Sequence, residues 1–147
     1  MIAPAGVIDA ARKVHDFLTV GAAAPLQEAA VTALNFRDEY YTQLRDLYAQ
    51  KKDLFLKGLE EIGLPFTVPQ GAYYVMTDVS GFGVKDDLQF CEWMAQEVGV
   101  AAVPGSSFFR EEIRSFVRFN FAKKEETLRD ALGRLDTLKI KAKGKSF

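Results

Sequence analysis

Arg118 and Asn120 stand two residues apart in the run Phe116-Val-Arg-Phe-Asn-Phe121, and the period of a β-strand turns both to one face with Phe116 while Val117, Phe119 and Phe121 face the other. A guanidinium presents a planar fork of donors that matches a carboxylate bidentately, and a charge-assisted contact of this kind contributes roughly 1.5–3 kcal/mol. The pattern therefore points to an anion clamp. An arginine on the wet side of a half-exposed strand has the same pattern, and at this level both readings stand.

Other chemistries are limited by what the chain lacks. It has one Cys and one His in 147 residues, too few for a four-ligand zinc site or a disulfide, and any Ser-His-Asp or Cys-His nucleophile would have to pass through His15. Cys91 stands on an apolar helical stripe and reads as a small core residue. His15, beside Asp16, reads as a partly exposed helical residue. No metal ligands and no side chain for proton or nucleophilic catalysis are assigned. Gly105-Ser106-Ser107 could cradle a phosphate, but the rest of a P-loop is missing and a plain turn is the expectation. Lys+Arg total 19 against 20 for Asp+Glu, so composition gives no footprint for nucleic acid. The absence of a long apolar run gives none for a membrane, and a single cysteine fits a reducing, cytoplasmic setting. Lys139, Lys141, Lys143 and Lys145 make the end of the chain basic, and the expectation is a solvated, frayed terminus.

The elements that must position these residues follow from periodicity. Val7, Ile8, Ala11, Val14 and Leu18 fall at three-and-four spacing and predict a helix over Ala5 to Leu18. A second helix runs from about Pro25, tolerated in a first turn, to Leu34. A third, from about Asp38 to Ile62, carries Tyr40, Leu44, Leu47, Tyr48, Phe55, Leu59 and Ile62 on one stripe and stops at Gly63 and Pro65. The period then changes. Gly71 to Val79 predicts a strand, and Asp86 or Asp87 can cap a helix that ends at Gly99. Val100 to Val103 predicts a short strand, Phe116 to Phe121 another, and Glu125 to Leu138 a last helix. The sum is three helices followed by β-α-β-β-α, an α/β arrangement in its α+β sandwich form, with helices on one face of a sheet. The apolar faces of the first two helices have no evident partner in the sequence.

Three runs, Pro69-Gln-Gly-Ala-Tyr-Tyr74, Gly99-Val-Ala-Ala-Val-Pro-Gly-Ser-Ser-Phe108 and Val117-Arg-Phe-Asn-Phe-Ala122 followed by Glu125-Glu-Thr-Leu128, stand in the order of a known family. Together with Ile2-Ala-Pro and Ala10-Ala-Arg-Lys-Val-His-Asp-Phe-Leu-Thr19, they resemble the carboxyl-terminal part of a class I/II, fold type I, pyridoxal-phosphate-dependent aminotransferase. The resemblance covers all but the last few residues. It implies transfer of an amino group between an amino acid and a 2-oxo acid in a homodimeric enzyme. It also implies that residues 1–36 are trailing helices of the cofactor domain, 37–64 a connecting helix, 65–140 the small domain and 141–147 a basic tail. Arg118 matches the family's arginine for the substrate α-carboxylate, which agrees with the strand-face argument. Tyr74, and behind it Tyr73, match an aromatic position lining the substrate pocket. Leu18, Thr19 and Gly21 fall in the segment that approaches the neighbouring subunit's site in dimeric relatives. Dicarboxylate-specific members place an arginine near that segment, and Phe17-Leu18-Thr19-Val20 has none, which favours a neutral aromatic or thioether side chain on the substrate. The family's Schiff-base lysine, in a Ser-Lys segment, has no counterpart, so the chain alone is expected neither to hold the cofactor nor to turn over. The competing expectation is a freestanding small domain that binds a ligand or a protein without catalysis.

Overall fold

The computed structural model describes residues 2–145 and 147, which form two compact units divided between Gln43 and Leu44. The first holds α1 (Ala5–Thr19), α2 (Ala24–Leu34) and the start of α3 (Asp38–Ile62). Neither α1 nor α2 buries a single residue. Phe17 is 88% exposed, Leu18 74% and Leu34 81%, so among the described residues these stripes are folded as helices that bury no apolar side chain fully. The α1 helix ends with Val20 at φ 59°, a left-handed conformation that a β-branched side chain adopts only under strain.

In the second unit the lower half of α3 turns Phe55, Leu56, Leu59 and Ile62 into a core. Its stop is a Schellman motif. Gly63 at φ 73° donates its N–H to Glu60 O at 2.9 Å, and Leu64 N donates to Leu59 O at 2.9 Å. Four strands follow: β1 (Phe66–Thr67), β2 (Tyr74–Asp78), β3 (Val103–Pro104) and β4 (Phe116–Asn120). They form one sheet in the order β1-β2-β4-β3, every pair antiparallel. Helices α4 (Asp87–Trp93), α5 (Glu125–Leu135) and α6 (Leu138–Lys141) complete the unit. Val75, Val117 and Phe119 point from the sheet into the layer formed by Phe90, Met94, Leu128, Leu135 and Leu138. The result is an α+β sandwich of helices packed on an antiparallel sheet.

Several expected boundaries move. The strand β1 lies outside every expected element, because two residues between Pro65 and Val68 are too few to show a period. The third strand is Val103–Pro104 rather than Val100–Val103. Its register is dictated by β4, with Val103 opposite Arg118 and Pro104 opposite Val117, and proline is tolerated there because the strand is at the sheet edge. Of the two aspartates offered as a cap for α4, Asp86 does the capping, accepting from Leu88 N at 3.0 Å and Gln89 N at 3.2 Å. The helix then widens at Met94–Val98, where Gly99 N donates to Met94 O five residues back. The last helix breaks before Leu138. The basic terminus is not frayed: Phe147 is 6% exposed and its carbonyl accepts from Lys85 N at 2.7 Å. Ser146 lies outside the described residues.

Two helical glycines behave oppositely. A Cβ on Gly58 would lie 2.4 Å from Leu132 Cδ1, so α3 and α5 pack through the missing side chain, whereas a Cβ on Gly133 meets nothing within 4 Å. Gly133→Ala should therefore raise stability by about 0.5–1 kcal/mol through reduced backbone entropy of the unfolded chain. The same change at Gly58 should give no gain, because the Leu132 side chain must move. Urea denaturation of the two variants checks the contrast in sign.

Candidate functional site

On β4 the alternation works as the period requires. Val117 and Phe119 are buried, Phe116 and Arg118 are half-buried, and Asn120 is exposed. Across the ladder Met76 and Val103 stand opposite Arg118, and Tyr74 stands opposite Asn120, diagonal to the arginine. Diagonal neighbours on one face of an antiparallel pair are within reach of long side chains. The Arg118 Cζ lies 4.1 Å from the centre of the Tyr74 ring. On its other side the Phe108 ring lies 3.7 Å away, so the guanidinium is held between two aromatic faces, an arrangement favoured by the quadrupole of each ring.

Arg118 has no carboxylate within salt-bridge distance among the described residues, and its Nε is buried without a hydrogen-bond partner. A cation that is walled by rings and left unpaired is an unusual expense for a fold to carry, since a buried donor without an acceptor costs about 1–3 kcal/mol. A ligand carboxylate would supply the missing anion.

Tyr73 stands one step back. It packs against Tyr74 with ring centres 4.6 Å apart and stacks on Tyr48 of α3 at 5.8 Å. A side-chain hydrogen bond with Tyr74, followed by charge repulsion from it and by burial, holds the Tyr73 phenol above its ordinary 10.0. The structure thus brings Arg118 and Tyr74 into direct contact, with Tyr73 touching only Tyr74 among these three. Leu18 and Thr19 close α1, and Gly21 lies in the bend after it, all in the unit of residues 1–43. The Thr19 hydroxyl donates to His15 O at 2.6 Å and lies 3.1 Å from His15 Nδ1, which leaves His15 an exposed helical residue.

Phe108 is a wall of the site that the sequence left unassigned. It closes the turn Gly105–Phe108, and that turn is held by Asp87, whose Oδ2 accepts from Ser106 N at 2.7 Å and Oδ1 from Ser106 Oγ at 2.9 Å. These bonds also answer whether the turn could hold a cofactor phosphate. The Ser106 donors are already taken by a buried carboxylate, which would repel an anion. The residues of this turn do not fit the phosphate of pyridoxal phosphate. Cys91, close by on α4, has its thiol pushed up to about 12 by burial and by the charge of Asp87, so it stays protonated at neutral pH and is no nucleophile. No cluster of three or more metal-ligating side chains occurs among the described residues, and no single helix is long and apolar enough to cross a membrane.

Comparisons of the chain with known proteins converge on one family. The family model for aminotransferase class I and II matches residues 1–135. The methionine aminotransferase of Escherichia coli is 39% identical over 138 residues, which are 93% of this chain and 36% of that protein. The aspartate aminotransferase of Thermotoga maritima is 33% identical over 92% of this chain and 33% of its own length. Among solved structures, the N-succinyldiaminopimelate aminotransferase of Mycobacterium tuberculosis superposes with a TM-score of 0.79 at 33% identity, covering 92% of this chain and 36% of that one. The chain thus spans about a third of the length of the relatives it matches.

Proposed function

Because this chain belongs to the class I and II aminotransferases, we propose that it supplies the substrate-holding part of an enzyme that moves an amino group between an amino acid and a 2-oxo acid. The observation that carries the reading is Arg118, walled by Tyr74 and Phe108 and lacking any anionic partner among the described residues. Both substrate classes carry a carboxylate next to the reacting carbon. A bidentate grip there fixes the reacting carbon in space, and positioning of this kind can lower a barrier by several kcal/mol without any proton moving. Pyridoxal phosphate, the cofactor of this family, supplies the electron sink when bound. In the whole enzyme it is held by residues outside this chain.

The Tyr74 ring flanks the fork, and Tyr73 braces that ring. Residues 1–36 belong with the cofactor domain, 37–64 form the connecting helix and 65–140 the small domain. The bare apolar faces of α1 and α2 support this division. In this reading Leu18, Thr19 and Gly21 are the segment that approaches the second subunit of a cytoplasmic homodimer. The lack of an arginine in that segment, and the match to a relative named for methionine, favour a neutral thioether or aromatic side chain. Residues 44–147 have a core of their own, which is what a freestanding carboxylate-binding module would need, so the two readings are separated by experiment. The pure chain, given pyridoxal phosphate, methionine and 2-oxobutanoate, should form no product above the rate without protein, whereas joining it to a cofactor-bearing upstream domain should give turnover. Turnover by the pure chain would overturn the division of labour, and a joined protein that binds cofactor but stays inert would favour the module.

A further inference from the structure

Asp87 is fully buried, at 0% exposure, and neither its neighbour's capping of α4 nor any ion pair accounts for it. Asp86 satisfies the helix N-terminus. No Lys, Arg or His nitrogen lies within salt-bridge distance of Asp87 among the described residues. Burying an ionised carboxylate without a counter-ion is costly unless hydrogen bonds compensate. Both of its oxygens are spent on one residue, Ser106, through the backbone N–H and the hydroxyl. Two bonds to one residue fix its orientation as well as its distance.

What Ser106 controls is the turn between β3 and the segment leading to β4. On one side of it Gly105 is pressed against β4 so closely that a Cβ would lie 2.6 Å from Phe116 O. On the other side, two residues on, Phe108 lies over Arg118. The turn is therefore fixed at Gly105 by contact and at Ser106 by the carboxylate, and its free end carries the ring that closes the arginine clamp.

We propose that Asp87 is a positioning residue for Arg118: by holding Ser106 it sets the Gly105–Phe108 turn so that Phe108 covers the guanidinium, keeps Nε dry and leaves the outer nitrogens as the fork that meets a substrate carboxylate. This rests on the reading of Arg118 as the carboxylate clamp. A buried carboxylate behind the walls of the clamp thus tunes how tightly and in what orientation the substrate carboxylate is held.

The test uses the full chain labelled with ¹⁵N at arginine, followed by NMR, with sodium 2-oxobutanoate as the probe. Two quantities are read: the dissociation constant of the probe and the solvent exchange of the Arg118 Nε–H. Asp87→Ala should weaken the probe about fivefold or more and speed the exchange about tenfold, because the Phe108 cover is no longer held. Asp87→Asn retains an acceptor for Ser106 and should stay within about threefold of the parent in both readouts. Unchanged affinity and unchanged exchange in Asp87→Ala would overturn the proposal. If that variant does not fold, Ser106→Ala removes one of the two bonds at a part-exposed side chain and decides instead. Faster exchange supports positioning, and exchange equal to the parent's overturns it. Arg118→Ala separates this outcome from the reading beneath it. If probe binding survives Arg118→Ala, the clamp itself is wrong, while the exchange measurement still reports whether Asp87 orders the side chain.

Discussion

Arg118→Ala should weaken binding of amino-acid and 2-oxo-acid carboxylates about ten- to a hundredfold, the loss expected when one charge-assisted contact of about 1.5–3 kcal/mol is removed. In an enzyme that joins this chain to a cofactor domain, the change should appear as a raised KM for both substrate classes, with methyl esters of the same amino acids little affected. Arg118→Lys should recover only a minor part. Lysine keeps the charge but not the planar fork, and its compact ammonium cannot lie flat between two rings. Stability gives the counter-check. The guanidinium makes no ion pair among the described residues, and its Nε is a buried donor without a partner. Deleting it removes a desolvation cost along with the stacking on Tyr74 and Phe108. The change in unfolding free energy should therefore stay within about 1 kcal/mol. A large fall in affinity with little change in stability identifies a ligand-binding arginine. Equal falls in both would make Arg118 a structural residue, and unchanged affinity would remove the clamp.

The parts of this site differ in how far the sequence exposes them, and the difference has physical causes. The face on which Arg118 stands is set by a period of two over a strand long enough to show it, so the arginine and its buried neighbours can be placed from residue order alone. Tyr74 comes instead from the family resemblance, since the residue types of Gly71 to Val79 predict a strand without saying which face the ring takes. Phe108 does not, because its position over the arginine depends on a turn whose direction is fixed by contacts distant in sequence, Asp87 to Ser106 and Gly105 to Phe116. A pair of adjacent aspartates before an apolar helix reads as a cap, and nothing local says which of the two turns inward. The strand β1 is hidden for a related reason. Its two residues are recruited by β2, with Phe66 opposite Thr77 and Thr67 opposite Met76, and carry no pattern of their own. The bare faces of α1 and α2 are legible as apolar stripes, and neither helix buries a residue.

Phe147→Ala should destabilise the chain by about 2–4 kcal/mol, a value for a buried aromatic rather than for a chain end. Four lysines in alternation make the last segment look like a solvated tail, yet its last ring is 6% exposed. That ring meets Phe90 edge-on, with centres 5.1 Å apart and planes at 89°, and meets Trp93 at 4.8 Å. Edge-to-face aromatic pairs contribute about 0.5–1.5 kcal/mol beyond the area they bury. The segment before it is prepared for this docking. Thr137 Oγ1 donates to Arg134 O at 2.7 Å where α5 gives way to α6, Leu138 is 1% exposed, and Lys141 Nζ donates to Glu97 O at 2.5 Å. Holding a ring at the end of the chain costs conformational entropy, which places the expected value below that of a ring held from both sides by helix. The exposed lysines are the control: Lys143→Gln and Lys145→Gln should each stay within about 0.5 kcal/mol. Urea midpoints at constant slope decide the matter. A Phe147→Ala midpoint equal to the parent's, or shifted no further than those of the lysine variants, would mean that the ring contributes nothing and the terminus is free after all.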